Sequence, residues 1–185
     1  MTESVDEVLL RVIGLRTYFF VRQGTVKAVD GVSFSLKKGE VLGVVGESAC
    51  GKSVTGLSIL RLVPDPPGKI VGGRILFEGE DLVSKSEAEM RGLRGSKITM
   101  IQQNPDSSLN PVFRIGEQVA EAIAIHQKLR GRSLWDKVVE MLRQVKIASA
   151  ETRMFDYPHQ MSGGMRQRVA GAIALSCQAS LLIAD

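Results

Sequence analysis

Cysteine is scarce here. Cys50 and Cys177 are the only two among 185 residues. That is too few for a disulfide framework, and it suits a reducing compartment. Long apolar runs are absent, so no stretch reaches the length of a membrane span and any membrane role must pass through a partner. The first residues, Met1–Glu7, carry acid where a secretory leader carries base, and no such leader is expected there. Charge of one sign is not concentrated. The 24 Lys and Arg against 20 Asp and Glu leave a net +4, and both signs are interspersed through Lys85–Lys97. A nucleic-acid partner would call for cations clustered on one face, and none is expected. A hydrophobic content of 44% with 24% charged residues fits a globular chain with one good core and room for a subdomain.

What is present centres on Gly46-Glu47-Ser48-Ala49-Cys50-Gly51-Lys52-Ser53. The apolar run Val41–Val45 precedes it and reads as a buried strand, and Val54–Leu62 follows with helix-compatible residues. Strand, Gly-rich loop and helix in that order make a phosphate-binding P-loop. Its glycines allow tight turning and keep side chains off a ligand. Successive backbone N–H groups then face one concavity, and the helix start adds its positive dipole end. Lys52 supplies a point charge for the β- and γ-phosphates, and the Ser53 hydroxyl is a hard oxygen ligand for Mg²⁺. Cys50 sits where alkylation would compete with nucleotide.

Along the chain, Val8–Val21 reads as a strand followed by a loop, ending in the aromatics Tyr18, Phe19 and Phe20. Three in a row cannot all face one core at a period of two, so at least one is free to stack on a base. Lys27–Leu36 reads as the second strand of an antiparallel pair. Pro64–Gly68 stops the P-loop helix, and Gly73–Phe77 is another strand. Ser86–Leu93 is a short helix whose Ser86 and Glu89 form a capping box. Lys97–Gln102 is a strand, and Asn104–Pro111 is a loop of turn residues. Ile115 to about Ile147 is helical with a break near Gly131, carrying the faces Val119, Ala122, Ile123, His126 and Val138, Met141, Leu142, Val145. His126 and Trp135 read as packing or surface residues, and Cys177 as a small core residue. Ser162 with Gly163 and Gly164 opens a long helix, Met165–Cys177, with Ser162 as N-cap. The glycines leave its first amides bare, a second anion-facing helix start. Leu181–Ala184 reads as a buried parallel strand that delivers Asp185 at its C-terminal end, the place for a Mg²⁺-holding acid.

Gly46–Ser53, Ser162–Gln167 and Leu181–Asp185, in that order, resemble the nucleotide-binding subunit of ABC transporters, with the oligopeptide and dipeptide importers as the nearest branch. Lys27–Phe34, Gln103-Asn104-Pro105 with Ser108-Leu109-Asn110-Pro111, and Tyr157–Arg168 carry the nearer match. The resemblance implies an α/β fold: a P-loop NTPase core with an antiparallel β subdomain and an inserted α-helical subdomain. Residues 1–103 would form the first part, 104–160 the helical subdomain, and 161–185 a return to the core. It implies ATP and Mg²⁺ as cofactors. Gly46, Glu47, Ser48, Ala49, Cys50, Gly51, Lys52 and Ser53 would hold the phosphates, and Phe19, with Tyr18 as alternative, the adenine. Gln103 resembles the glutamine that touches Mg²⁺ and attacking water, with Gln102 as its neighbour. Ser162, Gly163 and Gly164 resemble the signature that reaches ATP on an opposite subunit, and Asp185 the Walker B aspartate. Lys52, Gln103 and Asp185 would be the catalytic set, and Ser53, Gln103 and Asp185 the metal ligands.

The implied partners are transmembrane permease subunits, a second ATPase subunit and, indirectly, a periplasmic or extracellular substrate-binding protein. The implied place is the cytoplasmic face of the membrane. The helical insert and the Gln103 loop would form a groove for the permease. The alternative is a soluble ABC ATPase acting on nucleic acid or ribosomes. Met165 departs from the commoner Gln of the signature. The family's catalytic glutamate and switch histidine lie beyond Asp185, so ATP binding with little hydrolysis is expected of these 185 residues, together with an unpaired sheet edge at Leu181–Asp185.

Overall fold

The computed structural model describes residues 8–104 and 108–185. The acidic Met1–Glu7 stretch and the loop positions Pro105, Asp106 and Ser107 lie outside the described residues. The chain folds as two compact units, Met1–Gly92 and Leu93–Asp185.

The first unit is built on a long hairpin. β1 (Val8–Val21) and β2 (Gly24–Lys37) pair antiparallel across a turn at Arg22 and Gln23, so the expected loop after β1 is strand almost to its tip. β3 (Gly68–Phe77) pairs with the other side of β1, and the short β4 (Glu80–Asp81) with β3. The order β2-β1-β3-β4 is antiparallel throughout, as the sequence alternation implied. Gly73, at φ 88, allows the register shift in the middle of β3. A Cβ there would stand 2.5 Å from the Gly14 carbonyl oxygen. Leu10, Val12 and Leu15 of β1 are buried, as are Ile75 and Phe77 of β3. Thr17 is buried on the same strand, and its hydroxyl hydrogen-bonds Ser58 Oγ of the P-loop helix at 2.8 Å. That bond satisfies both buried hydroxyls and fixes the helix against the sheet.

This helix, α1 (Lys52–Ile59), ends short of the expected Leu62 and ahead of Pro64. Arg61 is left-handed at φ 50, its N–H reaches Ser58 O, and the Leu62 N–H reaches Leu57 O. These are the two bonds of a Schellman close, made on an arginine where glycine is usual. The Arg61 guanidinium then donates to the Leu82 and Lys85 carbonyls. α2 (Glu87–Leu93) begins at Ser86, whose N–H donates to Glu89 Oε2 at 2.7 Å while the Glu89 N–H donates back to Ser86 Oγ. The capping box read from the sequence is present.

The run Val41–Val45 departs from expectation. It is not a strand, and Val41 and Val45 are 94% and 93% exposed. A parallel strand exists only as part of a ladder covered on both faces. Among the described residues no strand pairs with this run.

In the second unit β5 (Ile98–Ile101) and β6 (Leu181–Ala184) pair in parallel. With them go α3 (Ile115–Gln127), α4 (Gly131–Gln144), the single turn α5 (Ala150–Arg153) and α6 (Gly163–Ser176). Val119 and Ile123 of α3, Val138, Met141 and Leu142 of α4, and Val169 and Ala172 of α6 share one core. Val119, Ile123, Val138, Met141 and Leu142 belong to the faces expected from the periodicity, with Val145 packed against the core, while Ala122 and His126 of the expected α3 face are only half-buried. α6 also packs on β5. α6 shares its core with α3 and α4, and the division between the two compact units falls after Gly92. No described helix is long and apolar enough to cross a membrane.

Candidate functional site

In the first unit the Gly46–Ser53 loop leads directly into α1 at Lys52. The helix has no side-chain cap; its N-cap is Gly51 at φ 93. A Cβ on Gly51 would stand 2.1 Å from the Ala28 carbonyl oxygen of β2. Glycine is demanded here twice, by the left-handed backbone and by the approach of β2. A Cβ on Gly46 would lie 2.7 Å from Cys50 Sγ, so the first glycine makes room for the loop's own thiol. The Lys52 ammonium folds across the loop and donates to Gly46 O at 2.8 Å and Glu47 O at 2.6 Å, with Cys50 Sγ at 3.4 Å. Loop and cation are thereby held as one object, and Gly46–Cys50 are all exposed. Exposed amides, a helix start and a fixed cation form a cradle suited to a polyanion.

The three aromatics at the end of β1 part company. Tyr18 OH donates to Asp30 Oδ1 at 2.6 Å, Arg16 Nε lies 3.5 Å from the same carboxylate oxygen, and Lys27 Nζ stands 5.5 Å from the Tyr18 ring centre. The hydrogen bond from Tyr18 is the first cause holding the Asp30 carboxyl below its usual range, and the bond to Asp30 raises the Tyr18 phenol. Phe19 is half-buried, its ring edge 2.8 Å from where a Gly68 Cβ would stand. Phe20 is 53% exposed. Sequence reasoning singled out Phe19 and Tyr18. The openness of Phe20 follows from the long hairpin, which no local residue pattern displays.

In the second unit the parallel register sets Ile101 against Ala184, and the Asp185 N–H donates to Ile101 O at 3.0 Å. Asp185 therefore leaves the ladder at the same end as Gln102 and Gln103, which follow β5 directly. The pairing of β5 with β6 is what brings the two candidate metal ligands of this unit to one edge. Gln102 lines a pocket of about 350 Å³ with Ser108, Ala170 and Ile173. Ser162 caps α6, its Oγ accepting from the Met165 N–H at 3.3 Å. Gly163 and Gly164 are exposed. The nearest atom to a Cβ on Gly163 would be Arg166 Nη2 at 3.9 Å, and a Cβ on Gly164 would meet nothing within 4 Å. Arg166 turns back beneath the helix start to Met161 O at 2.7 Å.

Two alternatives to ligand roles are settled by geometry. The His126 ring packs over Gly95, where a Cβ would approach its Nε2 to 2.5 Å. Cys177 is buried, and burial pushes its thiol up. No group of three or more His, Cys, Asp or Glu that could hold a metal occurs among the described residues. The second unit offers an amide oxygen at Gln103 and a carboxylate at Asp185, and the first unit a hydroxyl at Ser53. Hard oxygen donors this few in either unit do not suit a zinc or calcium cage; they suit Mg²⁺, which keeps waters and takes substrate phosphates.

The fold is that of the nucleotide-binding cassettes. The solved dimer of the cassette MJ0796, bound to ADP and Pi after hydrolysis, superposes with a TM-score of 0.83 at 23% identity over 95% of this chain and 73% of that one. CbiO1 of Clostridium perfringens, part of the cbiONQ transporter complex, gives 0.75 at 27% identity over 97% and 65%. The chain belongs to the ABC transporter family, whose model matches residues 29–185. It is 51% identical over 97% of its length to a probable peptide ABC transporter ATP-binding protein of Sinorhizobium fredii. It is 49% identical over 96% to the oligopeptide transport ATP-binding protein AppD of Bacillus subtilis, and 48% over 97% to the dipeptide transport ATP-binding protein DppD of the same organism. The chain covers 53%, 54% and 53% of these relatives, about half their length.

Proposed function

We propose that this chain is the ATP-binding part of an ABC importer for peptides, coupling ATP binding and hydrolysis to transport through membrane partners. The observation that carries the reading is the Gly46–Ser53 cradle. Gly51 stands against the Ala28 carbonyl and Lys52 is drawn across the loop, in a chain whose relatives are named as peptide-transport ATP-binding proteins. Amides of the loop and Lys52 bind the phosphate chain, and Phe19 stacks on the adenine, Tyr18 being held by Asp30. Ser53, Gln103 and Asp185 are the residues that would hold Mg²⁺, which would supply neutralisation of the phosphate charge. Gln103 would orient water.

Ser162, Gly163 and Gly164 present a second set of helix-start amides. Among the described residues no side chain crowds the Cβ position of either glycine closer than Arg166 Nη2 at 3.9 Å from that of Gly163, and these amides suit the ATP of a facing subunit. Residues 104–160 would meet the permease on the cytoplasmic face. The names of the relatives lend nothing to a role on nucleic acid or ribosomes.

The test is equilibrium binding of a fluorescent ATP analogue with Mg²⁺ to this chain and to Lys52→Ala. Binding lost in the variant supports the reading. Equal binding by both would overturn it.

A further inference from the structure

We propose that Ala49 is a positioning residue that sets how tightly the loop holds the phosphate chain, and that it does so by strain. The inference rests on the nucleotide reading of the Gly46–Ser53 loop.

Two residues of that loop are left-handed, Ala49 at φ 63 and Gly51 at φ 93. Backbone turned in this way aims neighbouring amides into one concavity. Gly51 adopts the conformation without penalty because it has no Cβ. Ala49 has one, and an L-residue in this region brings its Cβ against the following carbonyl. No side-chain hydrogen bond compensates, since alanine has none to give; Asn or Asp at such positions can bond locally. The phosphate-holding shape of the loop therefore carries a standing penalty at residue 49. Whatever fraction of molecules relaxes residue 49 out of this shape is lost to binding, and apparent affinity falls by that fraction. The methyl group of Ala49 touches no ligand in this account. It acts by disfavouring the turn in which the Cys50 N–H reaches Glu47 O at 3.4 Å and which leads the chain into Gly51 and the helix start.

The experiment is a titration of the parent chain, Ala49→Gly, Ala49→Val and Lys52→Ala with a fluorescent ATP analogue and Mg²⁺, each with a thermal melt. Ala49→Gly is expected to bind more tightly, by no more than about tenfold, the full left-handed penalty expressed as an affinity ratio being the upper limit. Ala49→Val is expected to bind more weakly than the parent, because a β-branched residue tolerates positive φ least. Glycine also enlarges the unfolded ensemble. This moves the melt, while the affinity of the folded chain reads only the share of loops in the binding shape, so affinity is the deciding readout.

Unchanged or weaker binding by Ala49→Gly, with Lys52-dependent binding intact in the parent, would overturn the role of Ala49 and leave the nucleotide reading standing. Parent binding that survives in Lys52→Ala, or no binding by the parent, would overturn that reading and the role of Ala49 with it.

Discussion

At the starts of α1 and α6, glycines serve opposite needs. At α1, Gly51 is pressed against β2 in a left-handed backbone, and no side chain caps the helix. At α6, Ser162 provides the cap, while Gly163 and Gly164 stand in open space. One glycine is required by what is already there. The other two keep a surface clear. A third start, at α3, shows the usual fate of such amides: the Ile115 and Gly116 N–H groups are taken by Asp156 O and Met154 O at 2.9 Å each. The start of α4 at Gly131 is, like that of α6, exposed and uncrowded, and it has no side-chain cap, so what separates α6 is the Ser162 cap beside its open glycines.

The comparison is broken most directly at Gly51. Gly51→Ala puts a Cβ at 2.1 Å from a backbone oxygen that no rotamer change can move. A loss of about 3 kcal/mol is expected from the clash and the backbone strain together. The first unit's melt should shift down, and Lys52-dependent nucleotide binding should disappear. If Gly51→Ala folds and binds like the parent, the steric account of this loop is wrong.

Ser162→Ala comes next. It removes the acceptor of the Met165 N–H, a helix cap usually worth about 1 kcal/mol. Amide hydrogen exchange at the start of α6 should quicken while that of α3, capped by backbone carbonyls, stays as it was. Equal quickening at both helices would mean that Ser162 acts through the whole unit rather than as a cap.

These contrasts were partly open to sequence reading. Ser162 followed by two glycines, and Ser86 three residues before Glu89, are local patterns, and both caps form as read. Helical faces such as Val138, Met141 and Leu142 also follow from spacing alone. Val41–Val45 did not, because a strand is a property of the ladder it joins, and its apolar residues declare burial without naming a neighbour. The close of α1 at Arg61 escaped for a different reason. Glycine is the usual left-handed residue at a helix end, and an arginine there carries no local signal. Lys146, at φ 62, repeats the device after α4, its N–H reaching Arg143 O while Ile147 N–H reaches Leu142 O. Gly51 was recognised as part of a motif, but its contact with Ala28, 23 positions earlier by number, is purely tertiary.

Gly164→Ala sharpens the comparison by reversing the sign. The new Cβ meets nothing within 4 Å, and alanine favours helix over glycine by up to about 1 kcal/mol, less in a first turn. Chemical denaturation should show stability unchanged or slightly raised, against the large loss at Gly51. A loss of stability at Gly164 would show that this start, too, is held by contacts requiring glycine.

The smallest effect belongs to the helix start that closes on itself. Glu89 accepts from the Ser86 hydroxyl and from the Ser86 N–H, and these bonds, the side-chain one first, hold its carboxyl below the usual range. A lowered carboxyl stabilises the fold above the unfolded-state value, and its contribution is lost as pH falls through the folded one. The cap is thus in force at neutral pH and fails on acidification. Glu89 is exposed and screened by solvent, so a resonance titration suits the question better than a melt. Ser86→Ala should move the Glu89 midpoint up towards an ordinary glutamate, leaving the backbone bond as the remaining cause of depression. A midpoint that stays put would assign the shift to that backbone bond and to Lys85, whose charge also lowers it, and the Ser86 hydroxyl would be only a bystander to the cap.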